Sequence, residues 1–88
     1  MIFVKSEREI DLMREPCAIV RDTLAAVGSA VRPGVSTAEL DRVAREYIRA
    51  RGAEPSCLGY CGYPASICAS VNEVIVHGIP SEDIVLKE

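Results

Sequence analysis

The sequence predicts an α/β domain, more closely α+β, in which two helices precede an antiparallel β-hairpin. Three observations carry this. Serine caps open two segments whose apolar residues recur at helical spacing, Arg32-Pro33-Gly34 separates them, and two β-rich runs flank Asn72-Glu73 further on.

The first helix opens at Ser6, with Glu9 three residues on completing a capping box. Ile10, Met13, Cys17, Val20, Leu24, Val27 and Val31 then form a single apolar stripe, expected to lie against a sheet. Cys17 on that stripe reads as a small apolar packing group. Pro16 removes a backbone donor at a cost of about 3 kcal/mol or more, so a kink or break is expected near Glu15. Ser36 and Glu39 open the second helix, whose buried face would be Leu40, Val43, Ala44, Tyr47 and Ile48, and Arg51-Gly52 closes it. Ala53 to Pro64 reads as a loop. Ser66–Val71 and Val74–His77 read as the hairpin strands, with Gly78-Ile79-Pro80 ending the second and Ser81–Glu88 as a polar tail.

Eighty-eight residues make one small domain with a limited core, since such a chain buries only about 60–65% of its unfolded surface. The net charge of −3 leaves no basic patch beyond Arg42, Arg45, Arg49 and Arg51, spaced like a solvated helix face, so no nucleic-acid partner is expected. The N-terminus lacks a basic region followed by an apolar run, so neither a signal peptide nor a membrane span is expected, and the expected compartment is cytoplasmic. There the four cysteines start as thiols rather than a disulfide framework.

The chemistry-bearing residues concentrate between Cys57 and Pro80. His77, the sole histidine, stands at a strand end before Gly78-Ile79-Pro80, where an imidazole can be presented to donate or accept a proton. Cys57, Cys61, Cys68 and His77 do not have the paired short knuckles of structural zinc. No signature marks one thiol as a nucleophile paired with His77. Tyr60 and Tyr63 flank Cys61-Gly62 on a glycine-rich loop and can wall an apolar pocket. No complete catalytic constellation is present.

Val31-Arg32-Pro33-Gly34-Val35-Ser36-Thr37-Ala38-Glu39-Leu40-Asp41, Cys57-Leu58-Gly59-Tyr60 with Gly62-Tyr63-Pro64, Ser70-Val71-Asn72-Glu73 and His77-Gly78-Ile79-Pro80 occur in that order. Together they resemble the N-terminal third of the bacterial type I methionine aminopeptidases. The resemblance implies part of a pita-bread fold, truncated before the metal ligands, and removal of the initiator methionine from nascent proteins. It places His77 as the substrate-binding histidine near the scissile peptide. It places Cys57, Tyr60, Tyr63 and Cys68 along the methionine side-chain pocket, and Asn72 and Val74 at backbone positions that help hold a monovalent cation. Complete members use two divalent ions (cobalt, manganese, iron or zinc), none of whose ligands is assignable here. Cys61 stands where many relatives carry histidine, and Pro16 falls in a helix usually continuous in the family.

The expected partners are N-terminal methionyl peptides and a complementary C-terminal chain. The competing expectation is a non-catalytic module that grips a peptide or partner, or half of a split enzyme.

Overall fold

Ser6 caps the first helix as its sequence predicts. In a computed structural model covering Met1–Glu88, its hydroxyl accepts the Glu9 N–H at 3.2 Å while the Glu9 carboxylate accepts the Ser6 N–H at 2.9 Å. The helix they open, α1 (Glu7–Ala30), runs unbroken through Pro16, where a break is expected. Leu12 and Pro16 are both exposed, so the carbonyl that loses its partner there is open to water, and no packed neighbour forces the chain apart.

The predicted apolar stripe of α1 packs only near its C-terminal end, at Val27. Ile19 and Thr23 are the buried residues, flanked by half-buried Ala26, Val27 and Ala30, whereas Ile10, Met13, Val20 and Leu24 are 46–66% exposed and Cys17 is exposed too. Two physical reasons account for the difference. The short side chains on the buried face let α1 approach α2 closely. Moreover, α1 is about 36 Å long against about 21 Å for α2, so the first turns of α1 project beyond anything that could cover them.

Arg32 to Val35 reverse the chain. Pro33 sets the first central position and Gly34, at φ 95°, takes a conformation most residues avoid, while the Val35 N–H closes the turn onto the Arg32 carbonyl at 3.2 Å. Helix α2 (Thr37–Ala50) follows, capped by Ser36, whose hydroxyl accepts the Glu39 N–H at 3.1 Å. Leu40 and Ala44 of the predicted face are buried against α1, and Val43, Tyr47 and Ile48 are half-buried. At the far end of the pair, Arg51 donates to Asp22 of α1 at 2.8 Å and lies over the Tyr47 ring, 5.9 Å from its centroid.

The antiparallel hairpin is absent, which corrects the expected fold class: the chain forms two helices, one 3₁₀ turn and no strand or sheet. The Asn72-Glu73 turn exists, with the Val74 N–H on the Val71 carbonyl at 3.1 Å, and the Ala69 N–H reaches the Gly78 carbonyl at 2.8 Å. The ladder between them does not form. Asn72 and His77 sit at φ 53° and 57°, outside the extended region, and Val74, Ile75 and Val76 are 40%, 90% and 63% exposed with no apolar layer over them. A two-stranded hairpin without such a layer is marginal.

Instead, the segment read as a polar tail is pinned to the start of α2. Gly34 N–H donates to Leu86 at 2.8 Å, Leu86 N–H to Val35 at 2.8 Å and Thr37 N–H to Ile84 at 2.9 Å, making a single antiparallel bridge between Ser36 and Val85. The Thr37 hydroxyl, fully buried, donates to the Ser81 carbonyl at 3.1 Å and accepts the Ser81 N–H at 2.8 Å. Thus the Thr37 and Ala38 N–H groups of the first turn of α2 are met by the tail, at 2.9 and 3.2 Å, and the Glu39 N–H by the Ser36 cap. Only 10 residues are buried, and the radius of gyration of 14.8 Å exceeds the about 12 Å of a compact chain this long.

Candidate functional site

The loop after α2 folds on itself before it builds anything else. Tyr60 N–H donates to Cys57 at 3.0 Å, Tyr63 N–H to Tyr60 at 2.9 Å, and Gly59 N–H closes the loop onto the Tyr63 carbonyl at 2.8 Å. The Tyr60–Gly62 3₁₀ turn at its tip carries Cys61 in the left-handed region, at φ 49° and ψ 34°. That geometry turns both tyrosines toward one side of the loop.

There they meet the Cys68 and His77 segments. Cys57, Tyr60, Tyr63, Cys68 and His77 line one open cavity of about 550 Å³, with Cys61, Gly62, Pro64 and Ile79 completing its wall. The five residues expected to form a site from the sequence therefore surround a common space. The lining offers aromatic faces, thiols and one imidazole, and no carboxylate or ammonium. Chemically it is a soft, weakly polar cleft suited to a flexible thioether or alkyl side chain, with a proton-bearing group at its edge.

Tyr63 ties the two walls together. Its hydroxyl donates to the Ile67 carbonyl at 2.9 Å and lies 3.4 Å from the Gly78 carbonyl. The Cys68 thiol beside it, followed by burial, pushes the Tyr63 hydroxyl from 10.0 up to about 12, so it stays protonated and donating throughout the neutral range. His77 is exposed and held at φ 57°, next to a glycine whose need is set by space: a Cβ on Gly78 would fall 2.3 Å from the Ala69 carbonyl oxygen.

What fixes this loop to the helices is Asp41, which stands in the sequence only as the last residue of the Val31–Asp41 motif. Its carboxylate, on α2 and 5% exposed, accepts the Ser66 N–H at 2.7 Å and the Ile67 N–H at 2.9 Å on one oxygen. The other accepts from Arg45 at 2.9 Å, and Arg45 in turn donates to the Ser66 hydroxyl at 3.0 Å. The signal available in sequence was an acidic residue on the otherwise apolar face of α2, at Leu40 + 1 and one turn before Arg45.

The other candidates separate from the cavity. Asn72 and Val74 lie on a second, larger groove formed with Val31-Arg32-Pro33 and the tail. No three His, Cys, Asp or Glu side chains converge closely enough to hold a metal ion, so Cys57, Cys61, Cys68 and His77 share a cleft without forming a ligand cluster. All four cysteines are exposed, so Cys17 is not the packed group its place on the helical stripe suggests. The arginine face of α2 is internally neutralised: Arg42 pairs with Glu39 and Glu46, Arg45 with Asp41, Arg49 with Glu54 and Arg51 with Asp22. No helix is long and apolar enough to cross a membrane.

The sequence model of metallopeptidase family M24 matches residues 11–88. A methionine aminopeptidase of Clostridium acetobutylicum is 50% identical over 88 residues, which is 100% of this chain and 35% of the relative. The methionine aminopeptidase of Escherichia coli K12 is 43% identical over 88 residues, 99% of this chain and 33% of its own length. The crystal structure of methionine aminopeptidase from Rickettsia prowazekii matches with a TM-score of 0.91 at 37% identity, covering 99% of this chain and 35% of that one. The chain thus spans about a third of the length of the curated relatives it matches. With a match that runs from Asp11 to the last residue and a backbone that follows a solved aminopeptidase, the chain belongs to metallopeptidase family M24.

Proposed function

We propose that this chain supplies the methionine pocket and the substrate histidine of a methionine aminopeptidase, which removes the initiator methionine from nascent proteins in the cytoplasm. The observation that carries the proposal is the convergence of Cys57, Tyr60, Tyr63, Cys68 and His77 on one cavity of about 550 Å³. In this reading the thiols and rings enclose the thioether side chain, where a polarizable sulfur gains from aromatic and thiol contacts. His77, exposed at the rim, hydrogen-bonds the substrate backbone and orients the peptide across the cleft.

The family is one of metallopeptidases, and a divalent ion, when bound in a complete member, would supply Lewis-acid chemistry to the hydrolysis. The residues here do not fit such an ion, because no ligand cluster forms among them. The proposal therefore assigns the metal centre, and with it the hydrolytic step, to residues outside this chain. The role of the Asn72 and Val74 backbone in holding a monovalent cation belongs to the same assembled enzyme.

A second reading, a non-catalytic module that grips a partner, is favoured by one feature, whereas half of a split enzyme is the first reading with the metal half supplied by another chain. Ile10, Met13, Val20 and Leu24 leave an uncovered apolar face on α1, which a complementary chain would bury. One experiment separates the readings: methionine release from a Met-Ala-Ser peptide, with cobalt or manganese, by the purified chain alone and by the chain mixed with a separately expressed C-terminal portion of a relative. Release only in the mixture is the expected result. Release by the chain alone refutes the assignment of the metal centre, and silence in both, from folded protein, refutes the aminopeptidase reading in favour of binding.

A further inference from the structure

His77 holds a backbone conformation that it does not prefer. At φ 57° it occupies the left-handed region, which a non-glycine residue keeps only where its surroundings over-determine it. Those surroundings act on the next residue. The N–H of Gly78 belongs to the same peptide plane as the His77 carbonyl, and it donates to the Ser70 hydroxyl at 3.0 Å. On the other side of Gly78, its carbonyl accepts the Ala69 N–H at 2.8 Å. Gly78 is also pressed against Ala69 so closely that no side chain fits there. The Ala69 bond and the close contact fix the distance between the two segments. The Ser70 bond fixes the rotation of the peptide plane that follows His77, and so the direction in which the imidazole leaves the chain.

We propose that Ser70 is a positioning residue for His77, acting through the Gly78 amide. It touches no substrate: Ser70 is not among the residues lining the cavity, and its hydroxyl is spent on the backbone. The inference rests on the reading of His77 as the substrate histidine, but its backbone consequence is measurable without any substrate. Because the bond is exposed and comes from a side chain, a single hydroxyl sets the plane, while Ser66 and Ile67 are held separately by Asp41 and by the Tyr63 hydroxyl.

The test compares Ser70→Thr with Ser70→Val, which differ by one hydroxyl at nearly constant shape, in the isotopically labelled 88-residue chain. Amide exchange at Gly78, the Cα chemical shift of His77 and titration with L-methioninamide are read by NMR. Ser70→Val is expected to speed Gly78 exchange roughly three- to tenfold, as one lost hydrogen bond allows, and to move the His77 Cα shift. Ser70→Thr is expected to leave both as in the parent. On titration, Ser70→Val should lose the ligand-induced change at the His77 ring while Cys57 and Tyr60 still respond, a split that a general loosening of the fold would not produce. Identical behaviour of the Thr and Val chains at Gly78 and His77 overturns the proposal. A parent chain in which neither His77 nor Tyr60 responds to L-methioninamide overturns the pocket reading instead, with the Thr and Val comparison still deciding the role of Ser70 in the backbone.

Discussion

Replacing Asp41 by alanine should release the whole pocket loop from the helices. The carboxylate accepts two backbone N–H groups, at 2.7 and 2.9 Å, and the Arg45 guanidinium at 2.9 Å, from a site only 5% exposed. Each hydrogen bond to a charged group contributes about 1.5–3 kcal/mol, and removing one partner of a buried ion pair costs about 3–5 kcal/mol because the other is left unsatisfied. Arg45 is 34% exposed and can turn to water, which places Asp41→Ala near the lower end, about 3 kcal/mol. A chain of this length has about 4–13 kcal/mol of stability in all, and with so few buried residues this one belongs at the low end. Asp41→Asn keeps a carbonyl for the two N–H groups but loses the charge, and should cost about half as much. Urea unfolding followed by circular dichroism gives the free energies, and amide exchange at Ser66 and Ile67 gives the local effect. An Asp41→Ala chain whose Ser66 and Ile67 amides stay as protected as in the parent would refute the clamp, whatever its global stability.

Two ionisable groups make the stability of the chain depend on pH. The Tyr63 hydroxyl is raised from 10.0 to about 12 by the Cys68 thiol and by burial, so the folded state favours its protonated form. That contribution is complete below pH 10 and is lost as the pH rises toward about 12; Tyr63→Phe should flatten the decline in stability over this window and remove a component near pH 12 from the 295 nm absorbance titration. Glu9 shifts the other way, lowered from 4.5 chiefly by the Ser6 backbone N–H and then by the Ser6 hydroxyl. Its contribution is present above pH 4.5 and lost as the pH falls through the lower folded value. Ser6→Ala, which removes the hydroxyl half of the box, should cost α1 about 0.5–2 kcal/mol as frayed first-turn helicity at 222 nm and shrink the acid step. A Ser6→Ala chain with unchanged helicity at pH 7 would show that the cap does not hold the exposed end of α1.

The local signals were the reliable ones. Both helix starts, the Pro33-Gly34 turn and the buried face of α2 follow from hydroxyl caps, restricted φ angles and helical periodicity, all of which act over a few residues of chain. The resemblance also names Cys57, Tyr60, Tyr63, Cys68 and His77, and the fold brings these five to the lining of one cavity. Tertiary structure decided the rest. Which of two apolar faces of α1 packs depends on the length of α2 and on how closely the short side chains of α1 let the two helices approach, so the longer stripe from Ile10 to Leu24 is left in solvent. Whether Val74-Ile75-Val76 becomes a strand depends on a second layer and a neighbouring edge, and without them the turn forms but the ladder does not. Asp41 is the plainest case. Its sequence position marks it as one more charge on a helix, and only the arrival of the Ser66 and Ile67 N–H groups makes it the residue that holds the pocket in place, because a carboxylate is stable inside a protein only where donors from distant segments replace the water it gave up.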